Sequence, residues 1–261
     1  MLKDTTLIAI VRDEEHNAAH GISLWLDATL PFVEKAIIAD TGSIDNTLEI
    51  LKSAQSKYPH VSVFQIPFES FTQARNYTLQ KVKTTRAFVL DADELLLPEE
   101  YQRLQAHITE VPHEGYAFYF KDILPEGYSL NKSSGLQTIR LFNVQDRFFT
   151  STQQNGLWEG ITFPRGPLKY TPFIDKEIAI IKHFQPDLTS RQHKETFWYE
   201  KEDVYTISPE VHAKTYGWKK NNPFREILDF PEYYLNEEYP TLVGANEGPF
   251  CYRNSDAQKH F

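Results

Sequence analysis

The sequence predicts an α/β protein built on a mostly parallel sheet, and three observations carry that reading. Short apolar runs of strand length, Leu7–Val11, Ala36–Ala39, Val61–Ile66 and Ala87–Asp91, recur through the first third of the chain. The segments between them space their apolar residues with the period of a helix. Two of the four runs end at an aspartate, Asp40 and Asp91, as strands do when their carboxyl ends border a ligand crevice. Alternation of this kind implies βαβ units, with helices on both faces of the sheet.

Taken in order, Leu7-Ile8-Ala9-Ile10-Val11 is a first, fully buried strand. Arg12-Asp13-Glu14-Glu15-His16-Asn17 follows, with acidic residues suited to the first turn of a helix. Ile22, Trp25, Leu26 and Thr29 continue at helical spacing until Pro31. The second strand, Ala36–Ala39, ends at Asp40-Thr41-Gly42-Ser43. A helix then begins near Asp45 or Asn46, with Leu48, Leu51 and Ala54 inward, and Asn46 with Glu49 has the spacing of a capping box. Val61–Ile66 alternates as a third strand, Phe71–Val82 is a third helix, and Ala87–Asp91 is the fourth strand.

Beyond Pro98 the pattern changes. A helix over Glu99–Ile108 precedes strands at Tyr116–Phe120 and Gln137–Phe142, with weaker strand signals at Ile161–Phe163 and Glu177–Ile181. From Ser190 the chain reads as helical and then irregular, broken by Pro209, Pro223, Pro231, Pro240 and Pro249.

The composition narrows the function. At 261 residues the chain suffices for one large domain, or one with an appended tail. A net charge of −9 excludes a broad footprint on nucleic acid or anionic membrane. Cys251 is the only cysteine, which excludes an intramolecular disulfide and a cysteine zinc site. The N-terminal apolar run is too short, and its flank too acidic, for a signal peptide, and no run has membrane-spanning length. A cytoplasmic protein is expected.

The chemistry centres on Leu90-Asp91-Ala92-Asp93-Glu94. On extended backbone Asp91 and Asp93 project to the same side. Two carboxylates so close repel unless a cation sits between them, and Mg²⁺ or Mn²⁺, hard ions with oxygen ligands, are the usual resolution. A solvated acidic loop that merely ends a strand explains the same residues.

Several segments together resemble the family 2 glycosyltransferases. Ile10–Asn17 is similar to the family's first strand and N-E-x-x-N turn, with Asp13 where Asn is common. Ile37-Ile38-Ala39-Asp40-Thr41-Gly42-Ser43-Ile44-Asp45-Asn46-Thr47 resembles the D-x-G-S-x-D-x-T signature. Phe71-Thr72-Gln73-Ala74-Arg75-Asn76 looks like F-x-x-A-R-N, and Leu90–Glu94 like L-D-A-D-E. Arg140-Leu141-Phe142, Trp158-Glu159-Gly160 and Lys182-His183-Phe184 fall where relatives carry R-L-F, an acidic motif and a late His. The last seventy-odd residues match nothing in the family. Trp158 stands where relatives often have His, and the Q-x-x-R-W motif of processive synthases is absent.

The resemblance implies a GT-A, Rossmann-like domain over residues 1–188, with a nucleotide-binding half to 97, an acceptor half from 98 to 188, and a C-terminal extension over 189–261. It implies an inverting, metal-dependent, non-processive glycosyltransferase acting on a nucleotide-diphospho-sugar, a UDP-sugar first among them, and on an acceptor hydroxyl.

Each residue then has an expected role. Asp91, Asp93 and His183 would hold Mn²⁺ or Mg²⁺ against the diphosphate, and Ala92 would line the same site. Backbone of Val11, Arg12 and Asp13 would hold the base edge, with Glu14 capping a helix or orienting the loop. Asp40 would accept a hydrogen bond from base or ribose, unless it only caps a helix, and Gly42 permits a tight turn. Arg75 would reach the base or diphosphate, its alternative being a salt bridge to a neighbouring carboxylate. Glu159 is the expected general base, with Asp122 and Asp146 as competitors, and Trp158 would stack on a sugar.

Two rivals share parts of this pattern. A sugar nucleotidyltransferase would carry a Gly-rich loop after the first strand, where this chain has Arg12-Asp13-Glu14-Glu15. A non-catalytic nucleotide-sugar-binding protein would not need the Asp91/Asp93 pair.

Overall fold

The computed structural model describes residues 1–124, 128–131, 138–145, 147–151, 159–162, 171–186 and 225–227. Its first part alternates β1 (Leu2–Val11), α1 (Ile22–Thr29), β2 (Val33–Asp40), α2 (Thr47–Lys57), β3 (Val61–Gln65), α3 (Phe71–Gln80) and β4 (Arg86–Val89). There follow β5 (Glu94–Leu95), α4 (Pro98–Glu110), β6 (Gly115–Phe118), β7 (Phe120–Ile123), β8 (Tyr128–Asn131) and β9 (Thr138–Asn143). The last strands are β10 (Phe148–Ser151), β11 (Glu159–Thr162), β12 (Ile181–Phe184) and β13 (Arg225–Ile227).

The main sheet has six strands in the order β3-β2-β1-β4-β9-β6. The first four run parallel, and β9 runs antiparallel to both neighbours. Alternation along the strands sends successive side chains to two separate cores. Leu7, Ala9 and Val11 of β1, Ala36 and Ile38 of β2 and Phe88 of β4 pack with Trp25, Leu51 and Tyr101 from α1, α2 and α4. Ile8, Ile37, Ala87 and Val89 pack on the opposite face with Leu79 of α3 and Phe142 of β9. The strands are therefore apolar on both sides, because helices cover both faces. This is the mixed α/β class that the sequence predicts.

The chain leaves β1 toward β2 and β3 and later returns to β4 on the other side of β1. In open α/β sheets such a reversal is where ligands bind, here at the carboxyl ends of β1 and β4. A second sheet, ordered β13-β8-β7-β12-β5, and the β10–β11 hairpin lie in the later part of the chain.

Four expectations need correction. Residues 12–17 are not helical, and α1 starts only at Ile22. The amides of Asp13, Glu14 and Glu15 instead donate to Ser43 Oγ, Thr47 Oγ1 and Asp45 Oδ2, at 3.0, 2.7 and 3.0 Å. Amides committed to another loop are not the free donors of a helix start.

Asn46 likewise makes no side-chain cap on α2; Asp45 Oδ1 accepts from Thr47 N at 2.9 Å. The single strand expected over Tyr116–Phe120 breaks at Tyr119, so that β6 stays in the main sheet while β7 enters the second. Glu177 and Ile178 lie in a turn closed by the Ile178 and Ala179 amides on the Asp175 carbonyl, and the strand comes later, at Ile181.

Among the described residues no helix is long and apolar enough to cross a membrane. Residues 189–261, apart from β13, lie outside the described residues, as do Trp158 and Asp146.

Candidate functional site

The loop after β1 and the loop after β2 are fastened together by side chains that both supply. Asp13 Oδ1 accepts from Ile44 N at 2.7 Å, and the Glu15 carboxylate accepts from Asn46 N and Nδ2 at 3.1 and 2.8 Å. Val11 O accepts from both the amide and the hydroxyl of Thr41.

Asp40 is fully buried within this wall. Its Oδ1 accepts from the amides of Gly42 and Ser43 at 3.0 and 3.1 Å, and its Oδ2 from the Ser43 hydroxyl. The carboxylate thus shapes its own loop, and the cap of α2 belongs to Asp45. Gly42 has φ +102°, and a Cβ there would lie 3.1 Å from Arg12 Nη1. The Arg12 guanidinium lies across the turn and donates to Thr41 O at 2.7 Å. The positive φ is what favours glycine at 42, and an added Cβ would also crowd the Arg12 guanidinium.

The acidic segment departs from the extended conformation expected of it. β4 ends at Val89, and Glu94 N donates to Asp91 O at 3.0 Å, so residues 91–94 form a turn. Its carbonyls are held from three directions. Asn17 Nδ2 donates to Ala92 O at 2.8 Å, Phe184 N to Asp93 O at 2.8 Å, and Trp25 Nε1 to Glu94 O at 3.0 Å. Asn17 itself is fixed through Oδ1 by the amides of Ala19 and Gly21.

Cations from two distant elements converge on this turn. Arg75 of α3, 7% exposed, pairs with Asp91. Arg140 of β9 pairs with Glu94 Oε1 at 2.6 Å and approaches Asp91 Oδ2 to 3.6 Å. Desolvation by the surrounding protein would raise the Asp91 pKa, but the two guanidiniums more than reverse that and hold it below the usual carboxylate range. Glu94 is pushed up to about 7, because its burial outweighs the attraction of Arg140. For Arg75 the structure therefore gives the salt bridge. Arg140 was visible in its strand, but no local pattern indicated its two partners.

β12 completes the arrangement. It pairs with β5 and sets His183 opposite Glu94, and it pairs with β7 and sets His183 opposite Asp122. Asp122 is fully buried, and its Oδ1 binds His183 Nδ1 and Gln185 Nε2, each at 3.0 Å. A carboxylate enclosed in this way is poorly placed to reach an acceptor hydroxyl, so Asp122 is a partner of His183 and no longer a competitor for general base. Burial lowers the His183 pKa, yet the carboxylates of Asp122, Asp93 and Glu94 offset this and raise it overall.

Among the described residues, no three His, Cys, Asp or Glu side chains converge to hold an ion. Asp91 is committed to Arg75 and Arg140. Asp93 remains, partly exposed, with His183, whose Nδ1 is engaged by Asp122 and whose other nitrogen, Nε2, is the one left to coordinate.

Glu159 begins β11, where the backbone register sets it opposite Ser151 of β10.

Comparison with known proteins adds the family. No curated protein matches the sequence. S. aureus TarS residues 1–349 is similar in structure, with 15% identity and a TM-score of 0.45 over 57% of this chain and 50% of that one. The same protein in complex with UDP-GlcNAc gives 18%, 0.41, 53% and 38%. GalNAc-T7 with UDP, GalNAc and Mn²⁺ gives 16%, 0.37, 46% and 23%. The chain thus spans half the length of TarS 1–349. The family model for "Glycosyl transferase family 2" matches residues 14–170, a span that begins within the first fastened loop and includes the second, the acidic turn, Arg75, Arg140 and Glu159. On that match the chain belongs to glycosyl transferase family 2.

Proposed function

We propose that this chain transfers a sugar from a nucleotide-diphosphate donor, a UDP-sugar, to an acceptor hydroxyl in one inverting, non-processive step. The observation that carries the proposal is the acidic turn 91–94, fixed beside His183 at the reversal of strand order. The nucleotide would lie there, against the wall made by Val11, Arg12, Asp13, Glu14, Asp40 and Gly42, with Ala92 beneath it.

Arg75 and Arg140 pair with Asp91 and Glu94, and Asp93 is the acidic side chain of the turn outside those pairs. Asp93 and His183 would hold Mn²⁺ or Mg²⁺ together with the donor phosphates. Bound there, the cation supplies neutralisation of the leaving diphosphate. Glu159 would take the proton from the acceptor hydroxyl as the anomeric carbon is attacked from the side opposite the diphosphate, which inverts it. Trp158, its neighbour in sequence, would offer the acceptor a stacking surface.

The nucleotidyltransferase reading loses ground for a structural reason. The amides after β1 are spent on the side chains of residues 43, 45 and 47 and form no phosphate cradle.

A thermal-shift panel of nucleoside diphosphates with and without Mn²⁺ tests the proposal. A ligand that binds only the folded state at a hundred times its Kd stabilises by about 2.7 kcal/mol. UDP with Mn²⁺ should raise the midpoint, and Asp93→Ala should remove the Mn²⁺-dependent part. An undiminished shift in Asp93→Ala would refute the metal assignment, and no shift with any diphosphate would refute the function.

A further inference from the structure

Asn76 follows Arg75 on α3 but serves a different part of the molecule. Successive residues on a helix point about 100° apart. Arg75 reaches Asp91, while Asn76 reaches β10. Its Oδ1 accepts from Phe149 N at 2.7 Å and its Nδ2 donates to Phe149 O at 2.9 Å. An amide side chain offers one acceptor and one donor side by side, as the backbone of a neighbouring strand does.

β10 pairs only with β11 in a two-stranded sheet of its own, so its outer edge has no strand neighbour among the described residues. Asn76 takes that place at one residue. The same residue is the hairpin's apolar anchor, for Phe149 is 5% exposed and its ring meets Phe142 edge-on at 6.1 Å. Backbone and side chain of Phe149 are thus both fixed, and the register carries that placement across to Glu159, opposite Ser151. A two-stranded hairpin has little stability of its own, so its position depends on such attachments.

We propose that Asn76 is a positioning residue for the acceptor side of the site: it clasps β10 and so sets where the hairpin holds Glu159. The inference rests on the reading of Glu159 as general base. One helical turn of α3 would then tie the donor turn, through Arg75, to the acceptor hairpin, through Asn76.

The test uses the full chain, UDP-GlcNAc as donor and water as acceptor, with UDP release as the signal. Hydrogen exchange of the 148–151 segment and UDP affinity by calorimetry accompany it for Asn76→Ala, Asn76→Asp and Glu159→Gln. Asn76→Ala should speed exchange at the Phe149 amide about tenfold, the worth of one lost hydrogen bond. It should lower kcat for UDP release by about 10²-fold, the cost of a displacement near 1 Å, with UDP affinity unchanged within twofold. Asn76→Asp keeps the acceptor for Phe149 N but sets an oxygen against Phe149 O, and should show the same pattern.

Unchanged exchange overturns the clasp, and faster exchange with kcat within threefold of the parent overturns the positioning role. If Asn76→Ala loses kcat while Glu159→Gln does not, the clasp stands and the assignment of Glu159 alone falls.

Discussion

Replacing Glu100 by Gln should destabilise the protein far more than a change of one atom suggests. Glu100, 3% exposed, lies in the first turn of α4, and its two oxygens accept three hydrogen bonds. The donors are Leu97 N at 2.6 Å, Ile180 N at 3.1 Å and the Lys182 ammonium. A glutamine keeps one acceptor oxygen and turns an NH₂ group toward at least one of these donors. It also leaves the ammonium of Lys182, 8% exposed, without its carboxylate, and burial already lowers that pKa.

Removing one partner of a buried pair costs about 3–5 kcal/mol. With a urea m value of about 3 kcal/mol per molar, the midpoint should fall by about 1–1.7 M. The buried Trp25 offers a fluorescence signal for the transition. Because Lys182 precedes His183 on β12, the same change should weaken Mn²⁺-dependent UDP binding. Glu100→Gln combined with Lys182→Met should be less damaging than the sum of the two single changes, since the pair is removed together. A midpoint drop below about 0.3 M, or strict additivity in the double variant, would refute the buried pair.

Three further outcomes are expected. His20 is 8% exposed and burial pushes its pKa down to about 4 from 6.5, so as pH falls the unfolded chain takes up the proton first. Stability should therefore decline between about pH 6.5 and 4 by up to about 3 kcal/mol and then level off, and His20→Asn should flatten that slope in urea melts. Gly42→Ala forces an L residue to φ +102° against Arg12 and should cost about 1–3 kcal/mol, of which Arg12→Ala relieves only the contact part. Asp122→Asn should lower Mn²⁺ affinity in the presence of UDP about 10–100-fold while UDP affinity without metal is kept; an unchanged Mn²⁺ titration would remove Asp122 from that role.

The fold was legible wherever burial on both faces leaves a continuous apolar run. β1, β2 and β4 are enclosed between two helix layers, so their sequences announce them. The break at Tyr119 was not legible, because Tyr116–Phe120 is apolar and aromatic throughout. What divides it is pairing elsewhere, with Ala117 bonded to Pro172 and Ile174 and Tyr119 to Ile181. Likewise Arg12–Asn17 has the composition of a helix start, and only the loop at 43–47 decides otherwise.

In the candidate site the ends of strands could be read locally, but partnerships could not. Arg140 and Glu94 are 46 residues apart and His183 and Asp122 are 61 apart, so no spacing rule connects them. Their residue types offered only a hint, since a cation within a strand and a carboxylate at a strand end both need a partner when buried.

The way the turn 91–94 is held has a consequence for folding. Its carbonyls depend on Asn17, 75 residues before Ala92, on Trp25, 69 before Glu94, and on the amide of Phe184 from the far part of the chain. Loops of that size close late, after the entropy of joining distant segments has been met. The turn therefore takes its final shape only when β1, α1 and β12 are all in place, and a partly folded chain has no weakened version of it. Exchange at the Phe184 amide should follow opening of the whole domain and not local fraying, so that one amide can serve as a gauge of global stability.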